Sequence, residues 1–296
     1  MVVDQFQATD VATSIIYEYL GGDYLKYSMT LLGMKDVAAA GDIIQSFTSY
    51  DGTRDQKLLY TYNFKGGVEL AAIVDQFQAQ DVATSIVYEY LGSDHLQYSM
   101  TLAGMKDVAA TGDAIQSFTR YDGTREQKLL YTYNFKGGVV LGAVVDQFQA
   151  TDVATSIIYE YLGSDYLQYS MTLAGMKDVA AAGDIIQSFT RYDGGRDQKL
   201  LYTYNFKGGV ALAAIVDQFQ ATDVATSIVY EYSGGDYLEY SMTLLGMKDV
   251  AAAGDIIQSF TRYDGTRDQK LLYTYNFKGN VALAAIVDQF QATDVA

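Results

Sequence analysis

TSIIYEYLGGDYLKYSMTLLG, residues 13–33, consists of two segments that alternate apolar and polar side chains on either side of the turn GGD, residues 21–23. Successive side chains of a β-strand point to opposite faces, so Tyr17 and Tyr19 fall on the same face of the first segment. Alternation in both segments around a glycine-rich turn predicts a β-hairpin.

This hairpin belongs to a unit that repeats every 71 residues. The motif VDQFQ marks the period, and its aspartate recurs as Asp4, Asp75, Asp146, Asp217 and Asp288. The four full copies are residues 3–73, 74–144, 145–215 and 216–286, and residues 287–296 open a fifth. A repeat of this length predicts an array in which each copy buries apolar surface against its neighbours.

A second hairpin is predicted in every copy. In the first copy it is IIQSFTSYDGTRDQKLLYTYNF, residues 43–64, with Asp51 and Gly52 as the turn signal. The two hairpins and the segments after them are similar enough to be diverged halves of one unit. The predicted fold is therefore all-β, a tandem-repeat array of β-hairpins arranged as a solenoid or a spiralling sheet.

The first two alanine-rich connectors are residues 34–44, in the first copy, and residues 68–77, which run from the first copy into the second, and both fit two structures. In the second connector Leu70, Ile73 and Phe77 have helical spacing, yet its β-branched residues and flanking glycines also suit a strand. We expect a strand or β-arc, because the connectors are short and lie between hairpins. A short helix packed on the sheet is the alternative.

Differences between the copies predict which positions are buried. One strand position holds only aliphatic residues, as a core position would: Ile16, Val87, Ile158 and Val229. Another exchanges polar types and is predicted to be solvated: Lys26, Gln97, Gln168 and Glu239. A third is predicted to be solvated on the same ground: Ser49, Arg120, Arg191 and Arg262.

The composition excludes several classes of partner. The formal net charge is −16, every copy is acidic, and no basic patch is present, so neither nucleic acid nor an anionic membrane surface is an expected partner. The chain contains no cysteine and no proline, and no apolar span of twenty residues, so we expect no membrane insertion. Met1 and Val2 lead directly into VDQFQ, so we expect no signal peptide.

No residue set indicates catalysis. His95 is the only histidine, and tyrosine holds the equivalent position in the other copies, which indicates an aromatic surface substitution. The turn DGTRD, residues 51–55, loosely resembles a calcium loop, but Arg54 would lie beside the ion, so we interpret it as a charged hairpin turn. We expect no enzyme activity, no cofactor and no catalytic, cofactor-binding or metal-binding residue.

The tyrosines permit one binding hypothesis. Tyr17, Tyr19, Tyr60 and Tyr62, with their copies, could form exposed aromatic ladders that stack on sugar rings. The alternative, which we favour, is that tyrosine is a good strand former whose ring packs against the ring one strand away.

The hairpins also resemble the YD repeats of RHS-type proteins, in which Tyr-x-Tyr-Asp, a glycine, a basic residue, a leucine and a closing glycine define one unit. The matching positions are Tyr50, Asp51, Gly52, Leu58 or Leu59, Tyr60, Tyr62 and Gly66, and in the first hairpin Tyr17, Tyr19, Gly22, Leu25 and Gly33. Leu20 follows Tyr19 where the family has aspartate, and the connectors are unmatched. The resemblance implies long β-sheet ribbons that form shells or cell-surface stalks.

The expected function is structural: a rod, stalk or self-assembling fibre at the cell surface or outside the cell. The expected partner is another copy of the chain, added end to end, because neither end shows a distinct polar cap. We expect residues 287–296 to cover the end of the fourth copy. A carbohydrate-binding repeat module and a closed four-fold toroid are the alternatives.

Overall fold

A computed structural model of the chain describes residues 11–21, 23–71, 76–90, 92, 95–143, 147–161, 163, 165–213, 218–234, 237–266 and 271–283. These residues form sixteen antiparallel β-strands and no helix. The prediction of an all-β tandem array of hairpins is therefore confirmed. Residues 287–296 and the middle of the second connector lie outside the described residues.

Each copy contributes four strands. The first copy contains β1 (Thr13–Leu20), β2 (Tyr24–Leu32), β3 (Ile44–Tyr50) and β4 (Leu58–Phe64). The second contains β5 (Val82–Glu89), β6 (Tyr98–Ala103), β7 (Ile115–Tyr121) and β8 (Leu129–Phe135). The third contains β9 (Val153–Glu160), β10 (Tyr169–Ala174), β11 (Ile186–Tyr192) and β12 (Leu200–Phe206). The fourth contains β13 (Val224–Ser233), β14 (Tyr237–Leu245), β15 (Ile256–Tyr263) and β16 (Leu271–Ala282).

The chain divides into two compact units, residues 1–154 and 155–296, with the boundary inside β9. Within each unit every strand pairs antiparallel with the next strand of the chain, which makes each unit a β-meander. Bulges recur at equivalent places, for example between Thr30 and Leu31 and between Thr101 and Leu102. Antiparallel pairing therefore joins the two strands of each predicted hairpin and also joins neighbouring hairpins within a unit.

Consecutive copies are offset along the strand direction. One row of paired residues crosses the first copy and enters the second as Glu18, Tyr27, Ser49, Tyr60 and Val87. The counterpart of Glu18 in the second copy is Glu89, and the row ends two residues before it, at Val87. At a rise of about 3.4 Å per residue, this offset is about 7 Å per copy.

One face of the sheet is covered by the connectors and forms the core. Phe47 is 3% exposed, and Phe77 of the second connector packs its ring 5.0 Å from that of Phe47 and 4.8 Å from that of Phe64. Leu70 of the same connector is also buried. The connectors therefore supply the second layer that a single sheet needs to bury its apolar face.

The described parts of the connectors are extended or turn segments. Ile43 and Glu69 form an isolated antiparallel bridge, and the Leu70 N–H donates to the Asp42 carbonyl at 2.7 Å. Residues 34–44 contain no helix, so the helical alternative is wrong for the first connector. The second connector is described only at residues 68–71 and 76–77, which are not helical either.

A serine and an ion pair hold the first connector of each copy against the sheet. In the second copy Ser85 Oγ donates to the Gly104 carbonyl at 2.6 Å and accepts from the Lys106 N–H at 2.8 Å. Asp113 pairs with the Lys106 ammonium and accepts from the Ala110 N–H. Burial raises the pKa of Asp113, but these two hydrogen bonds outweigh it and hold the pKa below its usual value.

The opposite face carries a ladder of hydroxyl groups. Ser46 Oγ donates to Thr30 Oγ1 at 3.0 Å, and the Thr48 and Thr61 hydroxyls lie 3.0 Å apart on β3 and β4. The same pairs recur in the other copies, as in Thr119 with Thr132. Alternation along β4 places Leu59, Thr61 and Asn63 on this face, which is less apolar than the face that carries Tyr60 and Tyr62. Cross-strand hydroxyl pairs stabilise it.

Both positions predicted to be solvated are half-buried. In the fourth copy the two side chains are in contact, and the Arg262 guanidinium donates to the Glu239 carboxylate at 2.9 Å. The first copy has Lys26 and Ser49 at these two positions. The first and fourth copies therefore each carry one cationic side chain there. The aliphatic position is buried as predicted in three copies, with Val87 and Ile158 each 2% and Val229 1% exposed, whereas Ile16 on β1 is half-buried.

Phe118 is fully buried against the rings of Tyr98 and Phe148, at centroid distances of 5.4 and 5.1 Å. We expect Phe118→Ala to lower the free energy of unfolding by about 3–5 kcal/mol, because it leaves a cavity in the aromatic core. Val108 is 65% exposed, and Val108→Ala should change stability by less than about 0.5 kcal/mol. Urea unfolding measures both, and equal midpoints would contradict the assignment of the core.

Gln56 adopts a left-handed backbone conformation, with φ of 49°, in the turn between β3 and β4. Only glycine adopts this conformation without steric cost, so Gln56→Gly should raise the free energy of unfolding by roughly 0.5–1 kcal/mol. Gln45 is exposed on the adjoining strand, and the control Gln45→Gly should be destabilising by a similar amount. Thermal melting distinguishes them, and shifts of the same sign would refute the strain.

Candidate functional site: the interface between consecutive copies

The described residues contain no group of three or more His, Asp or Glu side chains that could hold a metal ion. In the turn after β3, Asp51 accepts hydrogen bonds from the Thr53 and Lys57 N–H groups, each at 3.1 Å, and from the Thr53 hydroxyl. The carboxylate therefore closes its own turn, as in the charged-turn interpretation. His95 is half-buried in the loop before β6.

The joint between consecutive copies has the same strand pairing at both places where it is described. β4 of the first copy pairs with β5 of the second, so that Tyr60 lies opposite Val87 and Tyr62 lies opposite Ser85. Between the third and fourth copies, β12 and β13 pair in the same register. The sequence of the joint thus specifies one register at both places, as expected where one face is buried.

Side chains at the joint add specific contacts to the backbone ladder. Asn63 Nδ2 donates to Thr84 Oγ1 at 3.2 Å, and the Lys65 N–H donates to the Asp81 carbonyl at 2.9 Å. Asn205 and Thr226 make the equivalent contact between the third and fourth copies, also at 3.2 Å. These bonds connect residues of different copies and so stabilise the array rather than one copy.

Two tyrosines of the first hairpin of the second copy, Tyr88 and Tyr90, are residues of this joint. Tyr88 hydrogen-bonds to Thr61, and Tyr90 hydrogen-bonds to the Leu58 backbone. The Lys57 ammonium lies 5.6 Å from the centre of the Tyr90 ring, within the range of a cation–π contact. Burial raises the pKa of both phenols and outweighs the opposite effect of these hydrogen bonds. Burial likewise raises the pKa of Tyr230 and the pKa of Tyr232 at the joint between the third and fourth copies.

The other predicted ladder lies in the core. The rings of Tyr60 and Tyr62 stack at 4.7 Å, and Tyr62 is 4% exposed and packs edge-on against Phe77. These contacts agree with ring packing, the favoured interpretation of the tyrosines. Sequence analysis did not assign Tyr88 and Tyr90 to the joint, because alternation shows which face a residue occupies but not which strand lies beside it.

The strands that would form such a joint are left exposed at two places. Among the described residues, β1 pairs with β2 alone and β16 pairs with β15 alone. Ile15 and Tyr17 of β1 are 54% and 51% exposed. Tyr275 of β16 is 36% exposed, whereas its counterparts Tyr62 and Tyr204 are 4% and 3% exposed.

A groove borders each described joint on the connector side. Between the first and second copies it measures about 320 Å³ and is lined by residues that include Tyr60, Tyr88, Glu89 and Asp107. Burial raises the pKa of the Glu89 carboxyl. The equivalent groove between the third and fourth copies measures about 420 Å³. A tyrosine ring and two carboxylates are groups that can contact a sugar.

Comparison with known proteins adds no family. No model of a protein family matches the chain, and no curated protein is significantly similar to it. The resemblance to YD repeats therefore stays a prediction from the hairpin residues. No helix among the described residues is long and apolar enough to cross a membrane.

Folding raises the pKa of Tyr88 and of Tyr230, so the folded state favours their neutral phenols. The stability that these neutral phenols contribute is fully present below the pKa of tyrosine in the unfolded chain, about 10. It is lost as pH rises through the higher folded pKa. We expect the protein to lose stability above about pH 10, and the double variant Tyr88→Phe/Tyr230→Phe to lose less over the same interval. Urea midpoints measured between pH 8 and pH 11 test this.

The control is Tyr24→Phe, which removes a phenol that is 41% exposed and lies away from the described joints. It should leave the alkaline loss of stability as it is in the parent. If the double variant and the control behaved alike, the buried phenols would not be responsible.

Proposed function

We propose that the chain is a structural repeat protein without catalytic activity, which forms a rod, stalk or fibre by end-to-end association. One observation carries the proposal. A joint inside the chain is formed by two strands, such as β4 and β5. The equivalents of these two strands, β16 and β1, carry exposed side chains and pair with only one neighbour among the described residues. One further chain at each end can complete both halves with contacts that the protein already uses.

The energetics of the joint support a structural role. Each joint combines a backbone ladder, buried tyrosine rings and hydrogen bonds between side chains of different copies. In a repeat protein the stability of the array is approximately the sum of the copies and of the interfaces between nearest neighbours. Adding copies therefore extends the array without requiring a new kind of contact.

The charge of the chain suits a soluble structural element. A net charge of −16, spread over all copies, keeps the chain soluble but opposes association of chains. Salt screens exposed charges over about 10 Å at 0.1 M, so association should be stronger at higher ionic strength. A cell-surface or extracellular location and a YD-like stalk are consistent with this role and are part of the proposal.

Carbohydrate binding is the second candidate, and the recurring groove favours it. Tyr60 and Glu89 line the groove together with Asp107, so that an aromatic ring and acceptors for sugar hydroxyls lie close together. The structural role is better supported, since the tyrosines already pack against the core or across the joint.

Negative-stain electron microscopy and sedimentation velocity over a concentration series test the structural role. We expect filaments that lengthen as protein concentration rises, and longer filaments at 0.5 M than at about 0.1 M salt because repulsion is screened. Single particles of uniform size at every concentration and both salt levels would contradict it. They would favour a closed ring or a discrete binding module.

A further inference from the structure

We propose that chains join head to tail, with β16 of one chain pairing antiparallel with β1 of the next chain in the register of β4 and β5. The inference rests on the proposed function, because it specifies how the end-to-end contact is made. Its occupant is a second copy of this chain, and its template is the joint observed twice within the chain.

The register follows from the equivalence of the copies. Tyr60, Thr61 and Tyr62 lie opposite Val87, Ile86 and Ser85 in the internal joint. The equivalent residues of β16 and β1 place Tyr273 opposite Ile16, Thr274 opposite Ile15, and Tyr275 opposite Ser14 of the next chain.

Every specific side-chain contact of the internal joint has its chemical counterpart at the exposed strands. Asn276 and Thr13 correspond to Asn63 and Thr84, which hydrogen-bond in the internal joint. Thr274 and Tyr17 correspond to the hydrogen-bonded pair of Thr61 and Tyr88. The contact pattern can therefore be reproduced between chains without a change of residue.

The surfaces left exposed are the ones that this pairing buries. Val87 is 2% exposed and Ser85 is fully buried inside the chain, whereas Ile16 and Ser14, their counterparts on β1, are half-buried. Pairing of β1 with β1, or of β16 with β16, has no counterpart among the described strand pairs. A contact between two different surfaces does not close on itself after two chains, so it extends into filaments unless the rotation closes a ring.

Cysteine cross-linking tests the register directly, because the chain contains no cysteine. We would mix the Thr274→Cys and Ile15→Cys variants, oxidise them, and separate the products by non-reducing electrophoresis. Residues directly opposite each other in an antiparallel pair have Cα atoms about 4.5–5.5 Å apart, within the range of a disulfide. The mixture should give a cross-linked dimer as its main product.

Three controls define the geometry. Thr274→Cys alone and Ile15→Cys alone should give no dimer, since each would require pairing between like strands. Thr274→Cys mixed with Tyr19→Cys should give none either, because Tyr19 lies four residues from the predicted partner. Filaments seen by microscopy together with a dimer in any of these controls would overturn the head-to-tail register while leaving the structural role standing. A parent chain that stays monomeric would instead overturn the structural role itself.

A second variant covers the case in which a cysteine disturbs assembly. Tyr275→Lys places a charge at a position that is partly exposed in the single chain but that the proposed joint would bury without a partner. We expect filaments to be lost while the thermal unfolding of the single chain is retained. Val250→Lys adds the same charge at a site that is 64% exposed and should assemble like the parent. Filaments formed normally by Tyr275→Lys would overturn the proposal.

Discussion

The structure depends on strand pairing between copies. A strand at the edge of a sheet presents a row of unpaired N–H and C=O groups, and a hairpin alone satisfies only half of them. In this chain β4 and β5 complete each other's hydrogen bonds, and β12 and β13 do the same, so the strand edges at these two joints are paired. At each described joint one copy provides the strand with which the next copy pairs.

Pairing alone would give a single layer, and the connectors convert it into a core. Phe77 crosses over Phe47 and Phe64, and Leu70 is held by backbone bonds to the first connector. The Asp42 and Lys35 pair then holds that connector in place, at a site where the aspartate is almost fully buried. The apolar face of the sheet is therefore covered in the first three copies by a connector whose phenylalanine belongs to the next copy.

Much of the fold could be predicted from the sequence, because alternation has a period of two residues and the turn residues are specific. The hairpins of residues 13–33 and 43–64 are correct for this reason, as is the buried aliphatic position of Val87. The half-burial of Arg262 could not be predicted, since it depends on Glu239, which lies on a different strand. The same limit applies to Tyr88, whose partner Thr61 belongs to another copy.

The repetition itself bears on which function the chain can serve. The carboxylates of Asp51 and Asp113 close a turn and hold a connector, respectively, and their equivalents do the same. The joint recurs as well, with the same register, the same Asn–Thr hydrogen bond and the same half-buried phenols at both described places. A sequence that preserves its interfaces and uses its polar groups internally is suited to extend a structure. The exposure of Tyr17 on β1 and of Tyr275 on β16 then has a physical meaning, because these are the side chains that the next copy would bury.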